Sequence, residues 1–282
     1  MTNITVLGGS GFIGSRLVKV LRQQGHRVHT PSRREVDFFQ PKQADAMAVL
    51  DGCDVVVNAV GVMSRRADVL ETVHHHTPKQ LAQWAQQAGV KHWVQLSALG
   101  ADASSDIAFV GSKGRGDAAV ADSLPTAILR PSVVYGRGGA SCEMFIKLAR
   151  LPVMVLPAGG NFMLQPVHVA DVADGLAALC QTIPEQTVCI AATGAQALTL
   201  ADYLNTIRQT LHSKPAATVL PLPLACLRPL LPAAKYASNG ILSPDSIALL
   251  QQGSCADNQD FAELIGRAPL SPAQFAEQDR KA

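Results

Sequence analysis

The chain has 282 residues, of which 48% are hydrophobic and 16% carry a charge, against about 25% charged residues in an ordinary globular domain. This composition excludes an intrinsically disordered chain and supplies enough apolar side chains for one large α/β domain, or for a main domain with a smaller lobe. The 24 basic and 22 acidic residues give a formal net charge of +2, so the chain lacks the basic field with which proteins grip nucleic acid.

The sequence has no feature of an exported or membrane-spanning protein. No uninterrupted run of about 18 apolar residues is present, which argues against a conventional membrane span. A strand-like run, Ile4–Leu7, leaves no room before it for a signal peptide, so we expect a cytoplasmic protein. The 6 cysteines form no CxxC pair, and we expect small buried hydrophobic residues, with a redox role for one of them as the alternative. They are Cys53, Cys142, Cys180, Cys189, Cys226 and Cys255.

Short apolar segments alternate with helical stretches along the first half of the chain. Apolar residues from Leu81 to Ala88 recur with helical spacing, which predicts a helix over 78–88 with Trp84 in the core. Alternating strands and helices predict an α/β fold with a doubly wound parallel sheet of the Rossmann type. The predicted strands lie at residues 3–7, 27–30, 35–38, 54–59, 91–97, 126–131 and near 187–191.

Glycine and proline residues become frequent beyond the sixth predicted strand, which indicates a second structural unit. We expect residues 1–134 and 163–192 to form the Rossmann domain. Residues 135–162 and 193–282 then form a smaller C-terminal lobe for a substrate or a partner. Segment 220–232 is apolar and broken by prolines, so we expect it to pack within the lobe, with docking to a protein or a membrane surface as the alternative.

A glycine-rich string, Gly8–Gly14, stands between the first strand and a helix. Gly8 permits the tight turn, Gly11 lets the backbone approach a pyrophosphate, and Gly14 allows close helix–strand packing. The start of the helix adds free N–H groups and a partial positive charge, so this segment predicts a dinucleotide site. The expected contacts to the cofactor are Gly8, Ser10, Gly11, Phe12, Ile13 and Gly14; Phe12 and Ile13 are also expected to face the sheet.

The end of the second strand indicates which dinucleotide binds. An NAD site places an acidic residue there to accept from the ribose 2′-hydroxyl. Segment Val28–Arg34 contains no carboxylate, whereas Arg33 and Arg34 offer guanidinium groups suited to a 2′-phosphate. We therefore expect NADP rather than NAD, with two solvated loop arginines as the alternative.

Two further segments complete the expected cofactor wall. Asp37 and Phe38 end the predicted third strand, where a carboxylate can accept from the adenine amino group, although Asp37 is equally well explained as an ordinary loop acid. Ala59, Val60 and Gly61 end the predicted fourth strand with small residues that leave room for a ribose.

These segments, together with three later ones, resemble the short-chain dehydrogenase/reductase superfamily in its extended or atypical branch. The later segments are Val94–Asp102, Ile128–Gly136 and Gln165–Ala173. With the stretch Leu242–Asp245, the set is most similar to proteins related to the nucleotide-binding accessory subunit of respiratory complex I. The resemblance implies that Pro131 and Val134 also border the cofactor.

The resemblance implies a reactive Ser-Tyr-Lys set in which tyrosine and lysine are spaced YxxxK. Ser97 fits the serine and Lys113 fits the lysine, but Phe109 stands at the tyrosine position. In such enzymes the phenol exchanges a proton with the carbonyl oxygen while hydride moves to or from the nicotinamide. Phenylalanine keeps the ring and lacks that proton, so the sequence predicts cofactor binding with weak or absent reduction.

Other residues near the expected nicotinamide pocket could supply the proton. The candidates are Tyr135, Cys142, Glu143 and His168, of which His168 has the most suitable ordinary pKa. We interpret His168 as a structural histidine and Tyr135 as a packing residue between the two units. An active NADP-dependent oxidoreductase with an unusual acid, acting on a small or hydrophobic carbonyl, is the second hypothesis. A sugar-nucleotide epimerase or dehydratase ranks last, because it needs the same tyrosine.

Consecutive histidines at His74–His76 suggest a metal site at first reading. Neighbouring residues on an α-helix point about 100° apart, so three in a row do not converge on one ion. We therefore predict a surface cluster at the start of a helix and no metal site.

Overall fold

The structure, a computed structural model, describes residues 1–223, 225 and 244–281. Cys226, most of segment 220–232 and the first two residues of the Leu242–Asp245 stretch lie outside the described residues.

Twelve strands and eleven helices are described. The strands are β1 (Asn3–Leu7), β2 (Arg27–His29), β3 (Val55–Asn58), β4 (His92–Leu96), β5 (Thr126–Pro131), β6 (Val134–Tyr135), β7 (Val153–Pro157), β8 (Met163–Leu164), β9 (Val167–His168), β10 (Val188–Ala192), β11 (Leu198–Thr199) and β12 (Thr218–Leu222). The α-helices are α1 (Gly14–Gln23), α2 (Gln43–Leu50), α3 (Ala67–Glu71), α4 (Thr77–Gln87), α5 (Ala108–Ala121), α6 (Ala140–Leu148), α7 (Val169–Leu179), α8 (Leu200–His212), α9 (Pro244–Gln252), α10 (Gln259–Ile265) and α11 (Phe275–Lys281). A π-helical turn, Thr72–His76, joins α3 to α4, and single 3₁₀ turns lie at Ala158–Gly160 and Pro272–Gln274.

The main sheet has six parallel strands in the order β10-β5-β4-β3-β1-β2. The chain runs outward from β1 to β2 and then returns past β1 to β3, so the strand order reverses between β1 and β3. In open α/β sheets of this kind, ligands bind beyond the carboxyl ends of the strands at this switch point. The predicted Rossmann fold class is confirmed, and the glycine-rich string lies at the switch point.

Alternating strand residues fill two cores, one on each face of the sheet. Val55 and Val57 of β3 face a core made with α1, α7 and α10, whereas Val56 faces a core made with α2, α4 and α5. Trp84 is buried in the second core, as predicted. Both faces are covered by helices, which is why the strands read as continuous apolar runs.

One predicted strand is absent, which is a correction to the sequence analysis. Residues 35–38 form turns and bends rather than a strand, because the side chain of Asp37 accepts from the backbone N–H of Phe39 at 2.8 Å and closes a local turn. Because that strand is absent, Ala59–Gly61 follows β3, the third strand in chain order, and not a fourth strand.

A second correction concerns Phe12. Its ring does not join the sheet-facing side of α1 but lies against the glycine loop after β6, where a methyl group added to Gly139 would lie 2.9 Å from it. The guanidinium of Arg16 stacks 4.7 Å from the ring centroid. Ile13, by contrast, packs on the sheet-side core as expected.

The smaller lobe has a core of its own, which lies between α6, α8 and α11 and three two-stranded sheets. Tyr135, Tyr203 and Phe275 are among its most buried side chains. Helix α10 lies within the range that we assigned to this lobe but packs on the main domain, where Phe261 contacts Leu129 and α7 as part of the sheet-side core.

The cysteines divide into two groups. Cys53, Cys142 and Cys180 are buried, as expected of small hydrophobic residues, whereas Cys189 and Cys255 are exposed free thiols. Cys189 is exposed because β10 is the outer strand of the sheet.

No helix among the described residues combines the length and the apolar composition that crossing a bilayer requires.

The C-terminal helix is fastened to the lobe by an aromatic stack. The ring of Phe275, which is 1% exposed, lies 4.9 Å from Tyr135 and 5.4 Å from His168. We expect Phe275→Ala to lower the free energy of unfolding by about 3–5 kcal/mol, because it leaves a cavity inside this stack. Phe39→Ala is the matched control, since Phe39 is 59% exposed, and should change stability by less than about 0.5 kcal/mol. Urea unfolding measures both, and equal effects would contradict this packing.

Candidate functional site

The turn after β1 forms a cradle in which glycine is required at two positions. Gly8 has a φ of +77°, which favours glycine, and a Cβ there would lie 3.0 Å from a methyl of Val60. A Cβ on Gly14 would lie 2.2 Å from the carbonyl oxygen of Gly8, so helix α1 starts in contact with the turn. The turn is closed by Gly11, whose N–H donates to Gly8 at 2.9 Å.

The start of α1 fits an anionic ligand. No side chain caps it, and its first turn carries no acidic residue. Ser10 and Gly11 are exposed beside it. An uncapped helix N-terminus presents free N–H groups and a partial positive charge, which together suit a pyrophosphate. The chain therefore fits the dinucleotide that the sequence predicts at this position.

The wall opposite the cradle is held by a buried network of polar side chains at the ends of β3 and β4. The side-chain oxygen of Asn58 accepts from the backbone N–H of Val60 at 3.1 Å. The side-chain nitrogen of Asn58 donates to the side-chain oxygen of Gln95, also at 3.1 Å. Gln95 also accepts from the indole of Trp93 at 2.8 Å. The network fixes Ala59 and Val60 against the cradle, which is where the sequence places them.

The end of β2 carries the groups expected to select the cofactor. Arg33 and Arg34 are both exposed, and neither guanidinium is hydrogen-bonded or ion-paired within the described part of the chain. Glu35, which the sequence analysis did not assign, folds back onto the backbone N–H of Ser32 at 2.8 Å, and this bond keeps the pKa of its carboxyl below the ordinary value. The carboxylate also lies 3.7 Å from His29.

Asp37 and Phe38 lie in the loop after β2 rather than at a strand end. The carboxylate of Asp37 is engaged with the N–H of Phe39, and the carbonyl of Phe38 accepts from the hydroxyl of Thr77 at 2.6 Å. Pro131 ends β5, and Val134 begins β6. The positions of these four residues are consistent with a wall of the cofactor site, but none of their contacts requires a bound cofactor.

Ser97 follows β4, and its hydroxyl is already occupied. It donates to the carboxylate of Asp117 at 2.7 Å, and the same oxygen accepts from Arg130 at 2.9 Å. Asp117 and Ser97 are both buried. The predicted catalytic serine is therefore part of a buried polar cluster that joins β4, α5 and β5.

Lys113 lies on α5, with its side chain 5% exposed. Its Nζ donates to the carbonyl of Leu96 at 2.9 Å, and a methyl group added to Gly61 would lie 3.5 Å from that nitrogen. Burial lowers the pKa of Lys113 to about 8, against the smaller opposing effect of Asp117. The amine thus lies beside the small-residue wall expected to face the ribose.

His74 is a site residue that the sequence analysis missed. It was expected on the surface, but it is 1% exposed because the π-helical turn directs it toward α5. Its Nε2 accepts from the N–H of Val62 at 3.1 Å, so Nδ1 carries the proton and donates to Ser112 at 3.0 Å. Burial and the charge of Lys113 lower the pKa of His74 to about 2, which keeps the ring neutral. No pattern in the local sequence distinguishes His74 from the two histidines that follow it.

Phe109 occupies the expected tyrosine position at the start of α5. Its ring meets His74 edge to face, with centroids 5.5 Å apart and an interplanar angle of 89°. Phe109, His74 and Lys113 therefore lie together, with Gly61 beside the histidine and the lysine. His74 and Lys113 each make hydrogen bonds within the protein, and the ring of Phe109 brings no proton donor to this place.

Residues 4–106 match the NAD dependent epimerase/dehydratase family. The predicted resemblance to the short-chain dehydrogenase/reductase superfamily is thereby confirmed.

Relatives of the chain include mitochondrial NADH dehydrogenase subunits, a reductase and an epimerase family protein. NADH dehydrogenase (ubiquinone) 1 alpha subcomplex subunit 9 of Arabidopsis thaliana mitochondria is 31% identical over 198 residues, covering 62% of this chain and 49% of that protein. The chain thus spans about half the length of the mitochondrial relatives that it matches. A ceramide reductase of Caulobacter vibrioides is 26% identical over 238 residues, covering 78% of this chain and 74% of that protein.

Among solved structures, the human epimerase family protein SDR39U1 with NADPH has the same fold. It superposes with a TM-score of 0.72 at 21% identity, over 99% of this chain and 100% of that one. This similarity concerns the arrangement of strands and helices of the epimerase/dehydratase fold.

Of the four residues considered as replacement acids, three lie in the range assigned to the lobe, and His168 lies in the range assigned to the Rossmann domain. The Cys142 thiol accepts from Gly136 at 3.3 Å and the Glu143 carboxylate from Gly138 at 3.1 Å. Burial raises the pKa of Tyr135 well above its ordinary value. His168 accepts from Ala170 at 3.1 Å and faces Asp279 at 3.3 Å, so its structural role agrees with its contacts. Among the described residues, no hydrogen bond connects this group to Lys113 or His74.

The pKa of His74 makes stability depend on pH. The folded protein keeps the ring neutral, whereas the unfolded chain takes up a proton below a pH of about 6.5. The free energy of unfolding should therefore fall below that pH by up to about 1.4 kcal/mol per unit, or about 2 kcal/mol by pH 5. His74→Gln should lack this part of the decline, and His76→Gln, at an exposed position, should retain it. Urea unfolding near pH 7 and pH 5 tests the three proteins, and equal declines would show that His74 is protonated when folded.

Proposed function

We propose that this protein binds NADP(H) at the Gly8–Gly14 cradle and has weak or no reductase activity, serving as an accessory, assembly or sensing factor. The observation that carries the proposal is Phe109 in the place of the phenol, beside neighbours that each make hydrogen bonds within the protein. Ser97 bonds Asp117, Lys113 bonds Leu96, and His74 uses both ring nitrogens.

Reduction of a carbonyl requires both a hydride and a proton. NADPH supplies hydride to the carbonyl carbon, and a positioned acid supplies a proton to the oxygen. The chain retains the amine of Lys113, which suits the ribose hydroxyls, but residue Phe109 supplies no phenol. Loss of a positioned acid typically lowers the rate by about 10²–10⁴-fold, so cofactor binding survives where turnover does not.

The preference for NADP rests on the groups at the end of β2. The two exposed guanidinium groups of Arg33 and Arg34 suit a 2′-phosphate, for which Arg provides bidentate bonds. Glu35 is the acid available for a 2′-hydroxyl, but its carboxylate is held by Ser32. The free cations and the engaged acid both favour the phosphate.

The accessory role is supported by the named relatives from mitochondria, which are subunits of a large dehydrogenase. Since the chain spans about half of those proteins, their assembly partners are not transferred to it. We also place this protein in the cytoplasm, on the sequence argument alone.

A second candidate function is an active NADP-dependent reductase that uses a different proton donor. The relative named ceramide reductase favours it, because the match covers about three quarters of both chains. A hydrophobic carbonyl would then be the substrate class. Lys113, with a pKa of about 8, is the nearest ionisable donor in the described site.

Titration calorimetry with NADPH and NADH tests the cofactor proposal. We expect NADPH to bind more tightly, and Arg33→Ala to weaken NADPH binding by about 10–100-fold, since a charge-assisted bond contributes about 1.5–3 kcal/mol. NADH binding should hardly change. Arg27→Ala is the matched control, because Arg27 is exposed at the opposite end of β2. Equal affinities of the wild type for the two cofactors would contradict the NADP preference.

Phe109→Tyr separates the two candidate functions. If the missing phenol is the main defect, this variant should reduce small carbonyl compounds about 10²–10⁴ times faster than the wild type, and NADPH affinity should stay the same. The loss of the near-ultraviolet absorbance of NADPH measures the rate of turnover.

Phe109→Leu is the control for a change of shape without a phenol, and it should remain inactive. The opposite outcome would be a wild type that turns over at ordinary rates of about 1–10³ s⁻¹ and loses that activity in Phe109→Tyr. It would mean that another group donates the proton, and the second candidate function would replace the first.

A further inference from the structure

The π-helical turn changes which side chains meet on the outer face of the α3–α4 junction. The N–H of Thr77 donates to the carbonyl of Thr72, five residues earlier. In a helix bonded in this way, residues four and five positions apart both lie beside the first residue. Glu71 therefore has His75 and His76 as neighbours, and the 100° separation of an ordinary α-helix no longer keeps them apart. Single π turns are rare and occur often at functional sites.

Three potential metal ligands meet at this place. One ligand atom each from Glu71, His75 and His76 lies within 4.8 Å of the other two. The His75 Nδ1 lies 3.1 Å from the Glu71 carboxylate, which is close to the separation of two ligands bound to one zinc ion. The rings of His75 and His76 have centroids 4.6 Å apart and are tilted by 33°. Small side-chain rotations would bring the three atoms to one ion.

Arg115 of α5 holds the Glu71 carboxylate in place. It forms an ion pair with one oxygen of Glu71. Arg115 is itself fixed by donating to the carbonyl of Ala103 at 2.8 Å. The other oxygen of Glu71 is the one that faces His75. That oxygen also accepts a longer bond from Arg115 Nε at 3.3 Å, so Arg115 orients the carboxylate while the oxygen keeps a lone-pair site for an ion.

The cluster is accessible from solvent. His76 is exposed, and His75 lines a polar cavity of about 400 Å³ with Lys79, Gln83 and Arg115. The site therefore has an entry path and room for a water molecule in a fourth coordination position.

We propose that Glu71, His75 and His76 form a divalent transition-metal site that takes Zn²⁺ through two imidazole nitrogens and one carboxylate oxygen. Imidazole and carboxylate ligands suit zinc, and the fourth position is taken by water. On binding, His75 gives up its hydrogen bond to Glu71 and carries its proton on Nε2, so the ligand remains neutral. The sequence analysis predicts no metal at these histidines, and the proposed site differs from that prediction.

The proposed metal site lies back to back with the candidate cofactor site. His74 of the same π turn points inward to Phe109 and Lys113, whereas His75 and His76 point outward. Helix α5 contacts both sides, through Ser112 and through Arg115. The metal ion would therefore stabilise the turn that supplies one wall of the candidate cofactor site.

Isothermal titration of the full-length protein without a tag, using ZnCl₂ in a chelator-free buffer, tests the proposal. We expect one Zn²⁺ per chain. His75→Gln and His76→Gln should each weaken binding by at least about tenfold, the lower end of what loss of even an outer-shell partner costs. His29→Gln is the matched control, since His29 is exposed and also faces a glutamate, Glu35, but has no third ligand nearby. It should bind as the wild type does.

Co²⁺ provides a second readout, because its visible absorption bands are intense when it is held in a four-coordinate site and weak when it is free in water. The bands should appear in the wild type and in His29→Gln, and be lost in His76→Gln, whose position is exposed. Thermal unfolding in metal-free buffer checks the fold of each variant. The proposal is overturned if the wild type takes up no Zn²⁺, or if His75→Gln and His76→Gln bind it as tightly as the wild type. It is also overturned by several weak sites unaffected by all three substitutions.

Discussion

Helix α5 lies so close to the π-helical turn that only a glycine fits between them. A Cβ on Gly116 would lie 1.8 Å from the carbonyl oxygen of His74, far inside any real contact. Two residues earlier, a Cβ on Gly114 would meet the backbone of Asp102 at 2.3 Å. These approaches fix α5 against the turn on one side and against the loop after β4 on the other. Ser112 and Lys113 reach the end of the sheet because the helix is held there.

The consequence is a site in which buried polar groups satisfy one another. His74 bonds Val62 and Ser112, and Lys113 bonds the end of β4. Buried hydrogen bonds of this kind strengthen in a low-dielectric interior and leave little freedom for the groups that make them. Such an arrangement suits a fixed surface for a cofactor better than a group that must take up and release protons. The replacement of tyrosine by Phe109 is consistent with this arrangement, since the ring packs edge-on to His74.

Much of the fold was predictable because its signals are local. Buried parallel strands read as apolar runs, and six of the seven predicted strands are present. The exception, 35–38, alternates acidic and apolar residues as a half-buried strand would, but the side chain of Asp37 accepts a hydrogen bond that closes a turn there. The glycine string was predictable for the same reason, because the turn and the helix that it connects follow it directly in the chain.

The sequence by itself determined the sheet, the cradle and the absence of a phenol at Phe109, since each depends on residue types at short spacing. Only the tertiary structure decided that His74 is buried while its neighbours face outward, because its partner Ser112 is 38 residues away. The same holds for the engaged hydroxyl of Ser97, whose partner Asp117 lies 20 residues further on. Hydrogen bonds between distant segments depend on how helices are packed on the sheet, and no local pattern of residues records that packing.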